Sequence, residues 1–463
     1  MRRIIRFFCS AHSVCALWIA LCFSLTSVAY LSWVYHLMDF AAPERVDVYS
    51  LILGYACQAA GLAIGFLLFR KTQAMADWKI FSMAVLCFCV VTLPAIMGNT
   101  LASTLLFGLL MNVSIGVLAA FYLCVPARKL KEAHRGKSFG FGYGISTIFI
   151  FAVSLLENQT FLRSQAVLIL VLLLAAAAIG AAFVLLEKKP YQETEKDQRA
   201  AKPLPGNTVW LAGAVVVLLS LVKNLGFSFR MAEIQAGTNL ELSRLFYGAG
   251  LIAAGMIADK SRKSGATCTV TALVLPFVML ALSAESLPAM ICWGLDYLFY
   301  GFFSVYRAVL FMDIAERNGH WPLAALGLLA GRAGDALGTA CCRLFSFNRV
   351  LLIGFTLVLF VVTLLLFIRL CQRLYMPKIV REKSEREVFE SFAIQHDLSA
   401  REREVLRLIL TEQSVPQIAE QLFVTESTVR YHIHHLLQKS GCKTRQELMN
   451  QYNIKRYPQI TKE

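Results

Sequence analysis

From Glu187 to Asn207 the chain reads EKKPYQETEKDQRAAKPLPGN, with nine charged side chains and three prolines in 21 residues. Before it stands AVLILVLLLAAAAIGAAFVLL, and after it TVWLAGAVVVLLSLV. A helix that crosses a bilayer needs about 20 largely apolar residues, and both flanking runs fit that ruler. Carried outward in both directions, the ruler finds twelve such blocks, near residues 13–38, 48–69, 80–98, 101–125, 139–156, 163–186, 208–229, 240–258, 266–284, 287–311, 322–343 and 348–371. The polar stretch follows the sixth, so the blocks divide six and six. The reading predicts an all-α chain: a polytopic twelve-helix membrane bundle with halves over 1–186 and 208–371.

Composition agrees. Of 463 residues 57% are hydrophobic and 16% charged, and the mean hydropathy is +0.59. Soluble domains carry about a quarter charged residues, so an ordinary cytosolic enzyme, a disordered regulator and a secreted disulfide scaffold are excluded. The charge is unevenly spread. From Gln372 onward there are 15 basic and 12 acidic residues in 92, against 30 and 18 in the 371 before. A soluble domain therefore follows the membrane part. The 13 cysteines are scattered through apolar runs without metal-ligand spacing, which is the usage of a small hydrophobe.

Arg2, Arg3 and Arg6 precede a first block too long for a cleaved signal, so it reads as a retained anchor. Loops on one side hold clusters such as Arg128, Lys129, Lys131, Arg135 and Lys137, and the loops opposite are poor in Lys and Arg. The positive-inside rule then puts the loop 187–207 and both termini in the cytoplasm.

Six blocks, a cytoplasmic loop and six more blocks resemble the major facilitator superfamily. Gly255, Asp259, Lys260, Arg262 and Lys263, between blocks eight and nine, are similar to that superfamily's loop motif of a glycine, an aspartate four residues on and basic residues after it. The corresponding stretch of the first half keeps Gly65, Arg70 and Lys71 but has no aspartate. The resemblance implies a transporter-like bundle.

A charge at the centre of a span costs about 2.5–3.5 kcal/mol on insertion scales, so one that persists has a partner or a task. Six stand in the second half: Lys223, Arg244, Asp296, Arg307, Arg332 and Asp335. Arg332 and Asp335, three residues apart, can share a helix face. The set is either an internal ion-pair lock or the lining of a cavity for a small-molecule ligand. Its excess of cations suits a carboxylate or another anion.

Residues 372–397 form an amphipathic connector with Val380, Val388, Phe389 and Phe392 on one stripe, a helix that either relays movement or packs on the next domain. From Leu398 to 455 the periodicity predicts four short helices. The first is 400–411 with Ser399 as cap, the second 415–422 with Pro416 in its first turn. The third is 426–440, between Thr425 as cap and Gly441 as stop, and the fourth 444–452. A short helix, a tight turn and a longer basic helix make a helix-turn-helix, the arrangement that lays its second helix in the major groove of double-stranded DNA.

At these residues the chain resembles the LuxR-type, or GerE, helix-turn-helix domain. The resemblance rests on Leu398-Ser-Ala-Arg-Glu-Arg-Glu-Val-Leu406, then Ile418, Ala419, Leu422, Thr425 and Glu426, then Thr428-Val429-Arg430-Tyr431-His432. It implies that Arg430, Tyr431 and His434 touch bases, that Thr428, His432 and Lys439 lie near the DNA backbone, and that the fourth helix, with Leu448 and Met449, builds a homodimer. Two positions depart from the family: Glu412 stands where a glycine is usual, and Val415-Pro416 replaces Asn-Lys and removes a phosphate contact. His432, His434 and His435 lack carboxylate or cysteine neighbours at metal spacing and read as surface hydrogen-bonding groups rather than a metal site. Protonation at low pH would strengthen their phosphate contacts.

The expected function is a one-component transcription regulator in a bacterial plasma membrane. Its lipid-embedded bundle senses an unknown small molecule, and its cytoplasmic domain reads DNA. The alternative is a working transporter with an appended DNA-binding domain. No nucleophile elbow, P-loop or carboxylate pair suggests an enzyme, and no cofactor or metal is called for.

Overall fold

The computed structural model describes residues 11–71, 78–155, 165–187, 203–227, 242–281, 286–375 and 385–456. The polar loop that divides the halves thus lies for the most part outside the described residues. Among those described there is no strand. The chain forms two compact units, Met1–Tyr375 and Met376–Glu463.

Among the described residues the first unit holds twelve long helices, one for every apolar block: α1 (Ala11–Met38), α2 (Tyr55–Lys71), α3 (Trp78–Met97), α4 (Leu101–Lys129), α5 (Glu132–Leu155), α6 (Gln165–Glu187), α7 (Gly206–Phe227), α8 (Leu242–Lys260), α9 (Arg262–Ala281), α10 (Ser286–Arg317), α11 (Ala324–Leu344) and α12 (Arg349–Tyr375). The second block enters through a helical turn, Pro43–Asp47, and a π-helical stretch, Val48–Gly54, before α2 begins. Among the described residues, seven spans are long and apolar enough to cross a membrane on length and composition alone. The others include α11, whose apolar character is diluted by Arg332, Asp335 and its glycines.

Several helices run past their apolar blocks. The block ending near 311 continues to Arg317, and that extra length carries Asp313 and Glu316, which are held by arginines of neighbouring elements. A hydropathy ruler stops where residues become polar, whereas this helix runs on to Arg317 and is followed by Gly319 in the left-handed region at φ +62°.

Helix pairing repeats across the halves. In the first, α1 packs on α5 and α2 on α4; in the second, α7 packs on α11 and α8 on α10. The halves meet along α5 with α8 and α2 with α11. Glycine makes the first of these seams possible. A Cβ on Gly140 would lie 2.9 Å from the Cα of Gly255, so the two backbones touch, the close approach that small residues permit between helices in lipid. Trp18, Phe81, Phe121 and Phe183 fill the first half's core, with Phe81 stacked on Phe183 at 4.4 Å. Apolar side chains such as Met83 and Val90 on α3 and Val358 and Leu365 on α12 point outward, as lipid requires.

The second unit contains α13 (Glu385–Gln395), α14 (Ala400–Leu410), α15 (Val415–Gln421), α16 (Glu426–Ser440) and α17 (Arg445–Arg456). Residues 372–375 of the connector continue α12, residues 376–384 with Val380 lie outside the described residues, and α13 is part of this second unit. Val388, Phe389 and Phe392 of α13 join Val405, Leu406, Ile409, Val429, Leu436 and Leu448 in one apolar core. Phe392 meets Tyr452 of α17 edge to face at 5.5 Å.

Candidate functional site

In the first unit a cavity of about 300 Å³ opens between the halves. Three arginines reach it, Arg244 from α8, Arg307 from α10 and Arg332 from α11, and among the described residues no carboxylate lines it. Six tyrosines form much of its wall: Tyr30, Tyr55, Tyr122 and Tyr143 from the first half, Tyr247 and Tyr300 from the second. Tyr247 stacks on Tyr300 at 5.0 Å and takes the edge of Tyr143 at 5.6 Å. The Arg332 guanidinium lies 4.5 Å over the Tyr55 ring, a cation–π contact across the α2–α11 seam.

Behind this wall four of the six charges found in the sequence converge. Asp335 accepts from the Lys223 ammonium at 2.6 Å and from the Asn224 amide at 2.8 Å, both on one oxygen, Oδ1. Lys223 donates also to the Tyr300 hydroxyl at 2.6 Å. The other oxygen, Oδ2, faces Arg307 and Arg332, each at 3.6 Å. Three cations thus surround one carboxylate. Arg332 and Asp335 do share a helix face. Asp296 is not brought to the same place: it is buried in α10 but does not line the cavity. The tyrosines escaped the sequence reading because a ring at any one position of an apolar span is indistinguishable from core. Their signal is collective, six hydroxyls on helices of both halves.

A second charged cluster lies where α8 turns into α9. Asp259 accepts from the backbone amides of Gly136 and Lys137 on α5, at 2.7 and 2.8 Å, and from Arg262 at 3.0 Å. Arg262 also donates to Asp313 at 2.7 Å and to the Glu132 carbonyl at 2.6 Å. Arg135, buried on α5, donates to Asp313 and Glu316 of α10 at 3.0 and 2.7 Å. The loop motif is therefore a clasp between the halves. Gly136 permits it, because a Cβ there would stand 2.6 Å from Asp259 Oδ1. At the corresponding position of the first half, Phe69 packs edge-on against Phe121 at 4.7 Å.

In the second unit, capping explains each helix boundary. Ser399 accepts from the Glu402 amide while the Glu402 carboxylate accepts from the Ser399 amide, a capping box that starts α14. Gln417 closes back onto the Ser414 amide at 2.8 Å ahead of α15. Thr425 accepts from the Thr428 amide to start α16, and Gly441, at φ +72°, ends it in the left-handed region that favours glycine. Glu412 occupies the same kind of left-handed position after α14, at φ +60°, in place of the family's glycine.

The outer face of α16 carries Arg430, Tyr431, His434 and Gln438, all exposed. Arg430 is 71% exposed and paired only with Glu426 on its own helix, at 3.3 Å. The Tyr431 ring leans on His435 at 4.4 Å. His432 is half-buried beside Tyr431, and the Thr428 hydroxyl is 2.9 Å from that of Thr425 within the cap. Lys439 turns the other way. Its ammonium donates to Glu402 at 2.8 Å and to the Asp397 carbonyl at 2.9 Å, tying α16 to the start of α14. Burial pushes the Glu402 carboxyl up, but Lys439 and the Ser399 amide outweigh it and hold it below the usual carboxylate range. Leu448 of α17 is fully buried in the unit's own core and Met449 half-buried, so Leu448 offers nothing to a partner. The chemistry of this unit is therefore concentrated on one face of α16, whose dimensions suit a major groove about 12 Å wide.

Comparison with known proteins separates the same two units. Residues 396–451 match the family described as bacterial regulatory proteins, luxR family. The spore germination protein GerE of Bacillus subtilis (strain 168) is 44% identical over 50 residues, which cover 11% of this chain and 68% of GerE. The probable transcriptional regulatory protein NarL of Mycobacterium tuberculosis (strain H37Rv) is 52% identical over 48 residues. The match spans 10% of this chain and only 22% of NarL. Over 78% of the chain the fold is similar to a crystal structure of the human organic anion transporter MFSD10 (TETRAN), with a TM-score of 0.52, 14% identity and 99% of that chain covered.

Proposed function

Because the chain belongs to the LuxR family of bacterial regulatory proteins through its C-terminal domain, we propose that it is a one-component transcription regulator held in the plasma membrane. The single observation that carries this reading is the covalent union of a DNA-reading helix, α16, with a twelve-helix transporter-like bundle that encloses a polar cavity. In this reading the cavity takes a small molecule and the bundle passes its occupancy to the C-terminal domains. Those domains face the cytoplasm, as do both termini, and bind paired half-sites as a homodimer. Arg430, Tyr431 and His434 read base edges. Thr428 and His432 lie against the backbone, and Lys439, bound inside its domain, meets phosphate only by leaving Glu402.

The test is to crosslink and sequence the DNA held by the full-length, membrane-inserted chain, with Arg430→Ala as control. Enrichment of a few promoters carrying inverted repeats, lost in the variant, supports the reading. Uniform recovery of DNA from both would sink it.

A second reading, a transporter with a regulatory tail, is favoured by the cavity's position between two six-helix halves joined along α2–α11 and α5–α8. Coupled uptake of a solute into proteoliposomes would support it, and occupancy without flux would leave the sensor.

A further inference from the structure

The cavity's chemistry is lopsided, and the imbalance points to its occupant. Lys223, Arg307 and Arg332 bring three formal positive charges to Asp335, which supplies one negative charge. Asp335 accepts its short hydrogen bonds from Lys223 and Asn224, both through Oδ1. The two guanidiniums are left at 3.6 Å from Oδ2, and the Nη1 of Arg307, the Nε of Arg332 and Oδ2 itself make no hydrogen bond. The Arg307 side chain is 4% exposed. A buried guanidinium with an idle donor is costly unless something anionic meets it. Arg307 and Arg332 both line the cavity, and among the described residues no acidic side chain lines it with them. Planar guanidiniums fit a carboxylate through paired hydrogen bonds.

The rest of the wall describes the ligand's body. Tyr30 and Tyr55 stack at 6.3 Å in the first half and Tyr247 and Tyr300 at 5.0 Å in the second, which leaves ring faces and hydroxyls on both sides of one space. Such a wall favours a flat ring that stacks or meets edges. Arg332 already lies over Tyr55, so an anion drawn to Arg332 comes to rest beside that ring.

We propose that the cavity binds an aryl carboxylate, its carboxylate held by Arg307 and Arg332 and its ring between the tyrosines of the two halves. The proposal deepens the sensor reading and rests on its cavity. The ligand would touch α2, α8, α10 and α11 at once, and its occupancy would therefore set how the halves meet. Residual Lys223–Asp335 pairing keeps the wall intact when the site is empty.

Calorimetric titration of the detergent-solubilised full chain with benzoate, phenylacetate and 3-phenylpropanoate tests it, with the corresponding amides and acetate as controls. At least one aryl carboxylate is expected to bind tenfold or more tightly than its amide and than acetate. Arg332→Gln is expected to weaken that binding at least tenfold, the loss of a charge-assisted bond, and to raise the unliganded protein's thermal midpoint because it removes an uncompensated buried charge. Gly331→Ala, whose methyl group would collide with Arg307 Nη1, keeps every charge and is expected to weaken binding as well. If none of the three acids outbinds its amide, if acetate or phosphate binds as well as all of them, or if Arg332→Gln lowers the unliganded midpoint, the proposal fails. Binding is read here without DNA. A chain that regulates promoters but binds no aryl carboxylate defeats this inference alone, and one that binds it but never occupies promoters defeats the regulatory reading.

Discussion

Arg262 and Arg307 both belong to the second half of the bundle, and both sit against an aspartate. At the clasp, Arg262 donates through Nε, Nη1 and Nη2 to Asp313, Asp259 and the carbonyls of Ala258 and Glu132. There two arginines, Arg135 and Arg262, meet four carboxylates, Glu132, Asp259, Asp313 and Glu316. Around Arg307 the ratio is reversed, three cations to one carboxylate, and its Nη1 has no bond. Cations outnumbered by carboxylates hold two halves together, whereas cations in excess hold a place open. The difference separates the two roles that a charged residue can play inside a membrane protein.

The sharpest way to break this contrast is Asp335→Asn. It removes the carboxylate that faces Lys223, Arg307 and Arg332, and stripping a partner from a buried pair costs about 3–5 kcal/mol. The full chain should lose most of its folded yield, which fluorescence-detected gel filtration would reveal. A wild-type profile would mean that the cations are already compensated.

Asp259→Asn should cost less, about 1.5–3 kcal/mol, because one charged acceptor is lost while an amide oxygen remains for Gly136 or Lys137. Its thermal midpoint should fall while benzoate affinity holds within a few-fold. Loss of binding equal to that of Arg332→Gln would merge the two clusters into one.

A third arginine extends the comparison to the surface. Arg430 pairs with Glu426 in the open, and a helix-surface pair contributes only about 0.2–0.5 kcal/mol. Arg430→Ala should therefore leave the midpoint unchanged and weaken sequence-selective DNA binding by about 1–3 kcal/mol. Fluorescence anisotropy on a promoter fragment recovered from the crosslinking would read it, and His434→Ala should behave alike. Equal losses on random DNA would reassign Arg430 to phosphate.

The smallest effect is expected where no charge partner is involved. Glu412 holds a left-handed backbone without a glycine, so Glu412→Gly should stabilise the C-terminal unit by about 1 kcal/mol through the relief of that conformation. Urea unfolding followed on that unit's signal would show it, and a destabilised variant would mean that the side chain contributes more than its backbone costs.

Much of the fold was legible in advance, because hydropathy and capping are local. Twenty apolar residues make a span wherever they stand, and Ser399, Thr425 and Gly441 punctuate helices through bonds to residues three or four away. The exposed face of α16 was legible for the same reason: the apolar stripe through Val429 and Leu436 leaves Arg430, Tyr431 and His434 outside. Lys439 was not, since its partners Glu402 and Asp397 lie 37 and 42 residues back. Nor was the fate of the connector, whose one apolar stripe is compatible with any apolar neighbour until Phe392 meets Tyr452.

The order of residues was enough to specify twelve spans, two halves, a soluble tail and the reading helix within it, because solvent and helical periodicity act on neighbours along the chain. Which charges share a site was settled only when α7 came to lie against α11. That packing brought Lys223 to Asp335, residues 112 apart, and left Asp296 elsewhere. The tyrosine wall and the role of Asp259 likewise arise from helix packing. A side chain's electrostatic partners are chosen by three-dimensional proximity in a low dielectric, and no local pattern encodes that proximity.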